Sequence, residues 1–305
     1  MTYRYYFEEV LQCEMCGDDS SSHKILGQRL NQSQGLLPKR KSGISVSVKK
    51  CTKCGLIYSS PQPIPFDIQD HYGIPPDNYW KPDYFKVEES YFAKEIGEAK
   101  ELLSNLHPIR ALDVGAGLGK AMIAMEKAGF DAHGFEPSRP FYEKAISFMN
   151  INHERLKLGA IEDVDYPDSC FDFITYGAVF EHLYHPATSL RKTLKWLKPN
   201  GIIHIEVPSS RWLISGLVNF YYKVIGTNYV TNLSPMHVPF HLYEFHLRSF
   251  ELLGEIIGFR IVKHRQEVCQ IPFVPSSLHG IFRNIMRNTG RGMQLTVYLQ
   301  KQSGE

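Results

Sequence analysis

The stretch Leu112-Asp113-Val114-Gly115-Ala116-Gly117-Leu118-Gly119 decides how the rest of the 305-residue chain is read. Ala111 to Val114 is short and apolar and reads as a strand. Lys120 to Lys127 has the apolar spacing of a helix, closed by Gly129. The three glycines between them let the backbone turn sharply and let a ligand approach without a Cβ in its way. Open parallel sheets bind ligands at such turns, at the carboxyl ends of their strands. A dinucleotide-binding loop would carry its third glycine at position 120, where this chain has Lys120; Gly119 comes one place earlier, which argues against a nicotinamide cofactor.

Outward from that turn, short apolar strands alternate with helices, the pattern of a parallel sheet covered on both faces. The second strand is Asp131 to Glu136, followed by Ser138 as the cap of a helix that carries Pro140 near its start. A third strand lies near Leu156 to Gly159. The fourth, Phe171 to Val179, is almost continuously apolar and therefore central. A helix from Pro186 to Leu197 stops at Lys198-Pro199-Asn200-Gly201, and Gly201 to Val207 is the fifth strand. Residues 208–246, aromatic and without clear periodicity, read as an insertion over the carboxyl edge of the sheet. Ser249 to Ile257 is a helix, Phe259 to Val268 a strand and Gln294 to Gln300 the last strand. Residues 272–291 form a second insertion, with an amphipathic piece from Leu278 to Met286. Upstream, an amphipathic helix is expected from Phe85 to Leu106.

Two further features point to a nucleoside ligand. Glu136 ends the second strand, 23 residues after Asp113, where a carboxylate can accept hydrogen bonds from a ribose diol. Ile161, Glu162 and Asp163 follow the third strand, where they can border an adenine ring.

Taken together, residues 109–208 resemble a class I S-adenosylmethionine (SAM)-dependent methyltransferase of the broad group that modifies small molecules. The resemblance rests on residues 112–119, Gly134-Phe135-Glu136-Pro137-Ser138, Phe171-Asp172-Phe173-Ile174, Phe180-Glu181-His182-Leu183 and Leu197-Lys198-Pro199-Asn200-Gly201. It implies a Rossmann-like α/β fold with a seven-stranded sheet whose last strand runs antiparallel, Gln294 to Gln300 being the candidate. It implies SAM as cofactor, held by Asp113, Gly115, Ala116, Gly117, Gly119, Glu136, Ile161, Glu162 and Gly177. Ala160 stands where many members carry an acid thought to hold the adenine amino group, and Glu162 is the substitute candidate.

The N-terminal region carries a second signal. Cys13-Glu14-Met15-Cys16-Gly17 and Cys51-Thr52-Lys53-Cys54-Gly55 supply four thiolates as two knuckles, the ligand set of a tetrahedral structural Zn²⁺ site. His23 is expected at the surface, and Cys170 and Cys269 as small buried residues. Pro61, Pro63 and Pro65 form a stiff, extended connector. The expected organisation is a zinc-ribbon-like module over residues 1–60, a connector and covering helix over 61–108, and the methyltransferase domain over 109–305. The words Cys54-Gly55-Leu56-Ile57-Tyr58 and Pro61-Gln62-Pro63 resemble the zinc-binding module of some sugar-modifying methyltransferases.

A net charge of +2 gives no strong global field for nucleic acid or anionic membrane, although Lys39, Arg40, Lys41, Lys49, Lys50 and Lys53 cluster near the zinc knuckles. No apolar run reaches the length of a membrane span, and the first residues lack the apolar stretch of a secretory signal, so a cytoplasmic protein is expected. The expected partner is a small-molecule acceptor such as a sugar or nucleotide-sugar; an rRNA or tRNA gripped by the zinc module is the alternative. Methyl transfer is an in-line displacement that rewards positioning and can use a base. His182, His237 and His241 are the candidates for that base; Tyr72 and Tyr79 can cover the cationic sulfonium by cation–π contact, with aromatic packing against the core as the favoured alternative.

Overall fold

The computed structural model describes residues 5–30, 44–72, 80–104, 108–233, 240–269, 271–272 and 274–302. His237, Tyr79, Lys39, Arg40 and Lys41 lie outside the described residues.

The N-terminal part is built from strands: β1 (Tyr5–Glu8), β2 (Lys24–Arg29), β3 (Ser47–Lys50), β4 (Ile57–Ser60) and β5 (Gln62–Pro65). The proline-rich passage is thus a strand in part, because β5 pairs antiparallel with β1 in a two-stranded ribbon. Prolines are tolerated there because such a ribbon leaves an edge on which no donor is needed. The short helix α1 (Ile68–Tyr72) follows, then α2 (Ala93–Leu102). The latter begins later than the periodicity predicts. Phe92 takes a left-handed conformation (φ 59°) that no helix can run through, and Tyr91 is exposed rather than on the core face.

The remainder supplies β6 (Arg110–Val114), α3 (Lys120–Lys127), β7 (Asp131–Glu136), α4 (Arg139–Ser147), β8 (Leu156–Leu158), β9 (Phe171–Gly177), α5 (Pro186–Trp196) and β10 (Leu197–Pro208). After these come α6 (Leu213–Val224), β11 (Tyr229–Val230), β12 (Tyr243–Glu244), α7 (Leu247–Ile257), β13 (Phe259–Glu267), α8 (His279–Thr289) and β14 (Gln294–Lys301). The main sheet has seven strands in the order β13-β14-β10-β9-β6-β7-β8. Strands β10, β9, β6, β7 and β8 run parallel, while β14 is antiparallel to both β10 and β13. The expected seven-stranded α/β sheet with a reversed last strand is therefore present. Lys198 to Asn200 form a bulge inside β10 rather than a free turn, with Asn200 at φ 64°.

Side chains alternate across the sheet into two cores. Ala111 and Phe173 pack with Met122, Met125 and Ile96 on one face. Leu112, Val114, Ile174 and Tyr176 pack with Phe180, Trp196, Phe245 and Phe250 on the other. The four cysteines of the knuckles, with Met15, Leu56 and Tyr58, belong to that second core, so the N-terminal sheet is packed onto the main one.

The passage 208–246 is more ordered than its sequence suggests. It contains α6, whose apolar residues point both inward (Leu213, Ile214) and outward (Leu217, Phe220, Tyr221), which masks the helical period. It also contributes β11 and β12 to a five-stranded sheet of order β11-β2-β3-β4-β12. Two smaller expectations fail. His23 is buried, its ring nitrogens 2.7 Å from Tyr58 Oη and 3.3 Å from Asp18 Oδ2. Cys269 is exposed, its thiol donating to Gln294 Oε1.

Candidate active site

The turn after β6 has the conformation its glycines predict. Gly115, Gly117 and Gly119 have φ of +68°, +56° and +74°, the left-handed region that side chains disfavour. A Cβ on Gly115 would lie 2.7 Å from Val179 Cγ2, and one on Gly119 2.7 Å from Ile151 Cγ1, whereas one on Gly117 would point into open space. Gly117 borders the main cleft, together with Gly115, Phe135, Glu136, Ile161 and Glu162. Ala116 lies beneath the turn, its N–H donating to the Phe135 carbonyl at 3.0 Å. Gly119 caps α3.

Glu136 is tied to that turn. Its Oε2 accepts from the Gly117 N–H at 2.7 Å and its Oε1 from the Ser138 N–H at 2.8 Å. Ser138 stands at the start of α4 as expected, but its hydroxyl makes no capping bond. A carboxylate offers about four acceptor positions, so each oxygen of Glu136 keeps capacity for a ligand. Burial pushes its pKa up to about 7 against the pull of the two amides. Asp113, also buried, is pushed up to about 8, first by burial and then by the charge of Glu136. Of these two acids, Glu136 lines the cleft while Asp113 is buried one strand position before Val114, which does line it.

Ala160, Ile161 and Glu162 line the side of the cleft beyond β8. Gly177 ends β9 against Glu206, and the wall there is made by the next two residues, Ala178 and Val179. Sequence reasoning did not single these out, nor Ile68, Tyr84, Phe141 and Tyr184, which complete the lining with Tyr72. The closeness of Tyr72, Tyr79 and Tyr84 in the sequence was the available signal. Helix α1 is pinned by Gln69, which donates to the Pro137 carbonyl at 2.7 Å and accepts from the Arg139 N–H at 3.2 Å.

His182 lies on the cleft wall, and its Nδ1 donates to the Phe240 carbonyl at 2.9 Å. A carbonyl only accepts, so Nδ1 carries the proton of the neutral ring and Nε2 is its basic nitrogen. The His241 ring sits 4.7 Å from it, centroid to centroid, and His241 Nε2 is 3.8 Å from Glu181 Oε1. Glu181 is buried, and its pKa is pushed up to about 8, chiefly by that burial. The N-terminal part reaches the same wall, where Tyr184 donates to the Pro63 carbonyl at 2.9 Å.

The four knuckle cysteines are buried and mutually close. Cys13 Sγ is 3.5 Å from Cys54 Sγ, and Cys16 Sγ is 3.6 Å from Cys51 Sγ. Zn–S bonds of about 2.3 Å in a tetrahedron put sulfurs roughly 3.8 Å apart, so the set fits the ion. Gly17 and Gly55 (φ +69° and +80°) close the knuckles by donating to the carbonyls of Cys13 and Cys51.

Comparison with known proteins agrees with this geometry. Residues 89–264, more than half of the chain, match the family described as Methyltransferase domain. The chain belongs to that family. A protein of Dictyostelium discoideum whose name assigns it to the methyltransferases is 28% identical over 179 residues, 56% of this chain and 64% of the relative. The ubiquinone biosynthesis O-methyltransferase of Bradyrhizobium diazoefficiens is 25% identical over 135 residues, 44% of this chain and 51% of that one. The chain thus spans about half to two thirds of the length of these relatives. A solved SAM-dependent methyltransferase from Archaeoglobus fulgidus superposes with a TM-score of 0.46 at 18% identity, covering 70% of this chain and 92% of that one. Among the described residues no helix is long and apolar enough to cross a membrane.

Proposed function

We propose that the chain transfers a methyl group from SAM to a hydroxyl of a sugar, nucleotide-sugar or related metabolite. The observation that carries this reading is His182, held by the Phe240 carbonyl with its basic nitrogen determined, on the wall where the N-terminal part meets the cleft. When bound, SAM supplies an electrophilic methyl on a cationic sulfur. Glu136 takes the ribose hydroxyls, the Gly115–Gly119 turn gives the rest of the nucleoside a close backbone approach, and Ile161 and Glu162 border the adenine. Ala178, Val179 and Tyr184 bound the acceptor side. Nε2 of His182 would take the proton of the acceptor hydroxyl, its Nδ1 being held by the Phe240 carbonyl. The four cysteines hold Zn²⁺ in a structural role, since a site closed by four thiolates leaves no position open for substrate. The O-methyltransferase names among the relatives support an oxygen acceptor, and the N-terminal words that resemble those of sugar-modifying methyltransferases support a sugar.

Labelled SAM incubated with the protein and, separately, with nucleotide sugars, total RNA and lipid extract identifies the acceptor. Label in the sugar fraction is expected, and label confined to RNA overturns the proposal. His182→Ala is expected to lower kcat roughly 100- to 10,000-fold while SAM affinity stays near wild type, as calorimetry and initial rates would show. SAM affinity is expected to fall as pH drops from about 8 to about 6. Glu136, with its pKa near 7, is then protonated and loses acceptor capacity, so proton uptake competes with the ligand. Glu136→Gln should flatten that dependence.

A further inference from the structure

We propose that α6 and α8 together form a docking surface for an anionic lipid bilayer, on which the enzyme sits peripherally. The inference does not depend on the identity of the acceptor.

The outward face of α6 is its apolar one. Leu217, Phe220, Tyr221, Val224 and Ile225 recur at the i, i+3, i+4, i+7, i+8 spacing of one helical stripe, and all five are exposed, Phe220 and Val224 at 67%. Helix α8 adds Ile281 (58%) and Ile285, again one face, with Leu278 just before it. The two helices are one packed unit, because Leu213 and Ile214 of α6 share a small core with Met286 and Phe282 of α8. Soluble surfaces carry scattered apolar residues, but eight large ones on two adjoining helices make a patch of the kind that marks an interaction site.

Charge selects the occupant. Residues 207–243 and 268–304 contain no Asp or Glu, although acids make up 32 of the 305 residues. The same segments supply Arg211, Lys223, Arg283, Arg287 and Arg291, and among the described residues none of these five forms an ion pair. An apolar stripe flanked by unpaired cations and no acids fits the boundary between anionic headgroups and acyl chains. A protein partner would be expected to meet some acid on this face, for complementarity of both signs.

The location also suits a working enzyme. Helix α6 follows the carboxyl end of β10. Because β14 is antiparallel to both β10 and β13, the link carrying α8 also leaves from that edge of the sheet. The glycine turn after β6 opens at the same edge.

Co-sedimentation of the full chain with vesicles of phosphatidylcholine alone, or with equal parts of phosphatidylcholine and phosphatidylglycerol, tests the proposal. Roughly tenfold or more protein is expected on the anionic vesicles, with the difference shrinking as salt is raised. The doubly substituted chain Phe220→Asp, Ile281→Glu should lose vesicle binding, and Arg283→Glu, Arg287→Glu should lose the preference for anionic lipid. All four positions are exposed, so SAM binding by calorimetry should match wild type and report intact folding. Absence of binding to either vesicle, or binding that survives both pairs of substitutions, overturns the proposal. So does concentration-dependent dimerisation abolished by Phe220→Asp, which would assign the face to a second copy of this chain.

Discussion

Replacing Glu136 with alanine is expected to weaken SAM binding by roughly 100-fold or more, since hydrogen bonds to a charged group contribute about 1.5–3 kcal/mol each and two ribose hydroxyls lose their acceptor. A second loss adds to the first. The amides of Gly117 and Ser138, which now donate to the two carboxylate oxygens, would be left to find other partners. The turn would then no longer be held in its left-handed conformation before the ligand arrives, and preorganisation would be lost with contact. Calorimetric titration with SAM measures the effect. Glu136→Gln, which keeps one carbonyl oxygen, should fall between wild type and alanine. An alanine variant whose Kd stays within a few-fold of wild type would remove Glu136 from the cofactor site.

The second large effect belongs to the knuckles. Cys51→Ser should cost the protein about one equivalent of zinc and lower its thermal midpoint by roughly 10 °C or more. Cys51 is fully buried, its sulfur accepts from the Cys54 N–H at 3.5 Å, and its neighbours Met15, Leu56 and Tyr58 are part of the core that also contains Phe180 and Phe245. Loosening the knuckle therefore opens a face of the main core. Hydrogen exchange should rise in β11 and β12 as well as near the cysteines, because these two strands are the edges of the same sheet. Metal analysis and calorimetry check the first two outcomes. Unchanged zinc content together with an unchanged midpoint would mean that the four thiols serve no ion.

Most of the central sheet was legible because its inner strands β6, β7 and β9 are short, largely apolar and followed by glycine or proline turns. Lys120 to Lys127 and Asp131 to Glu136 match their elements residue for residue. Likewise the glycine turn and Glu136, whose spacing follows from the βαβ geometry, come together as the sequence implied. What could not be read was set by contacts distant in sequence. The role of Tyr184 depends on Pro63, 121 residues away, and the orientation of His182 depends on Phe240, 58 residues away. Helix α6 was hidden by apolar residues on both of its sides, a pattern that reads as irregular when burial is assumed to explain every apolar position. Phe92 delayed the start of α2 through a backbone conformation that no side-chain pattern announces.

The edge strands of the N-terminal sheet carry a consequence for how the chain folds. Tyr58 pairs with Tyr243, so closing that edge joins residues 185 apart (243 − 58). A ribosome delivers the knuckles early and the strand that completes their sheet much later, after five of the seven strands of the main sheet have emerged. Until then β4 presents an unpaired edge, a surface prone to pairing with the wrong chain. Loop closure over such a span is slow rather than thermodynamically costly, because its entropy grows only logarithmically with length. The N-terminal sheet is therefore expected to mature only after most of the chain has been made, and fragments ending before residue 243 should aggregate where the full chain does not.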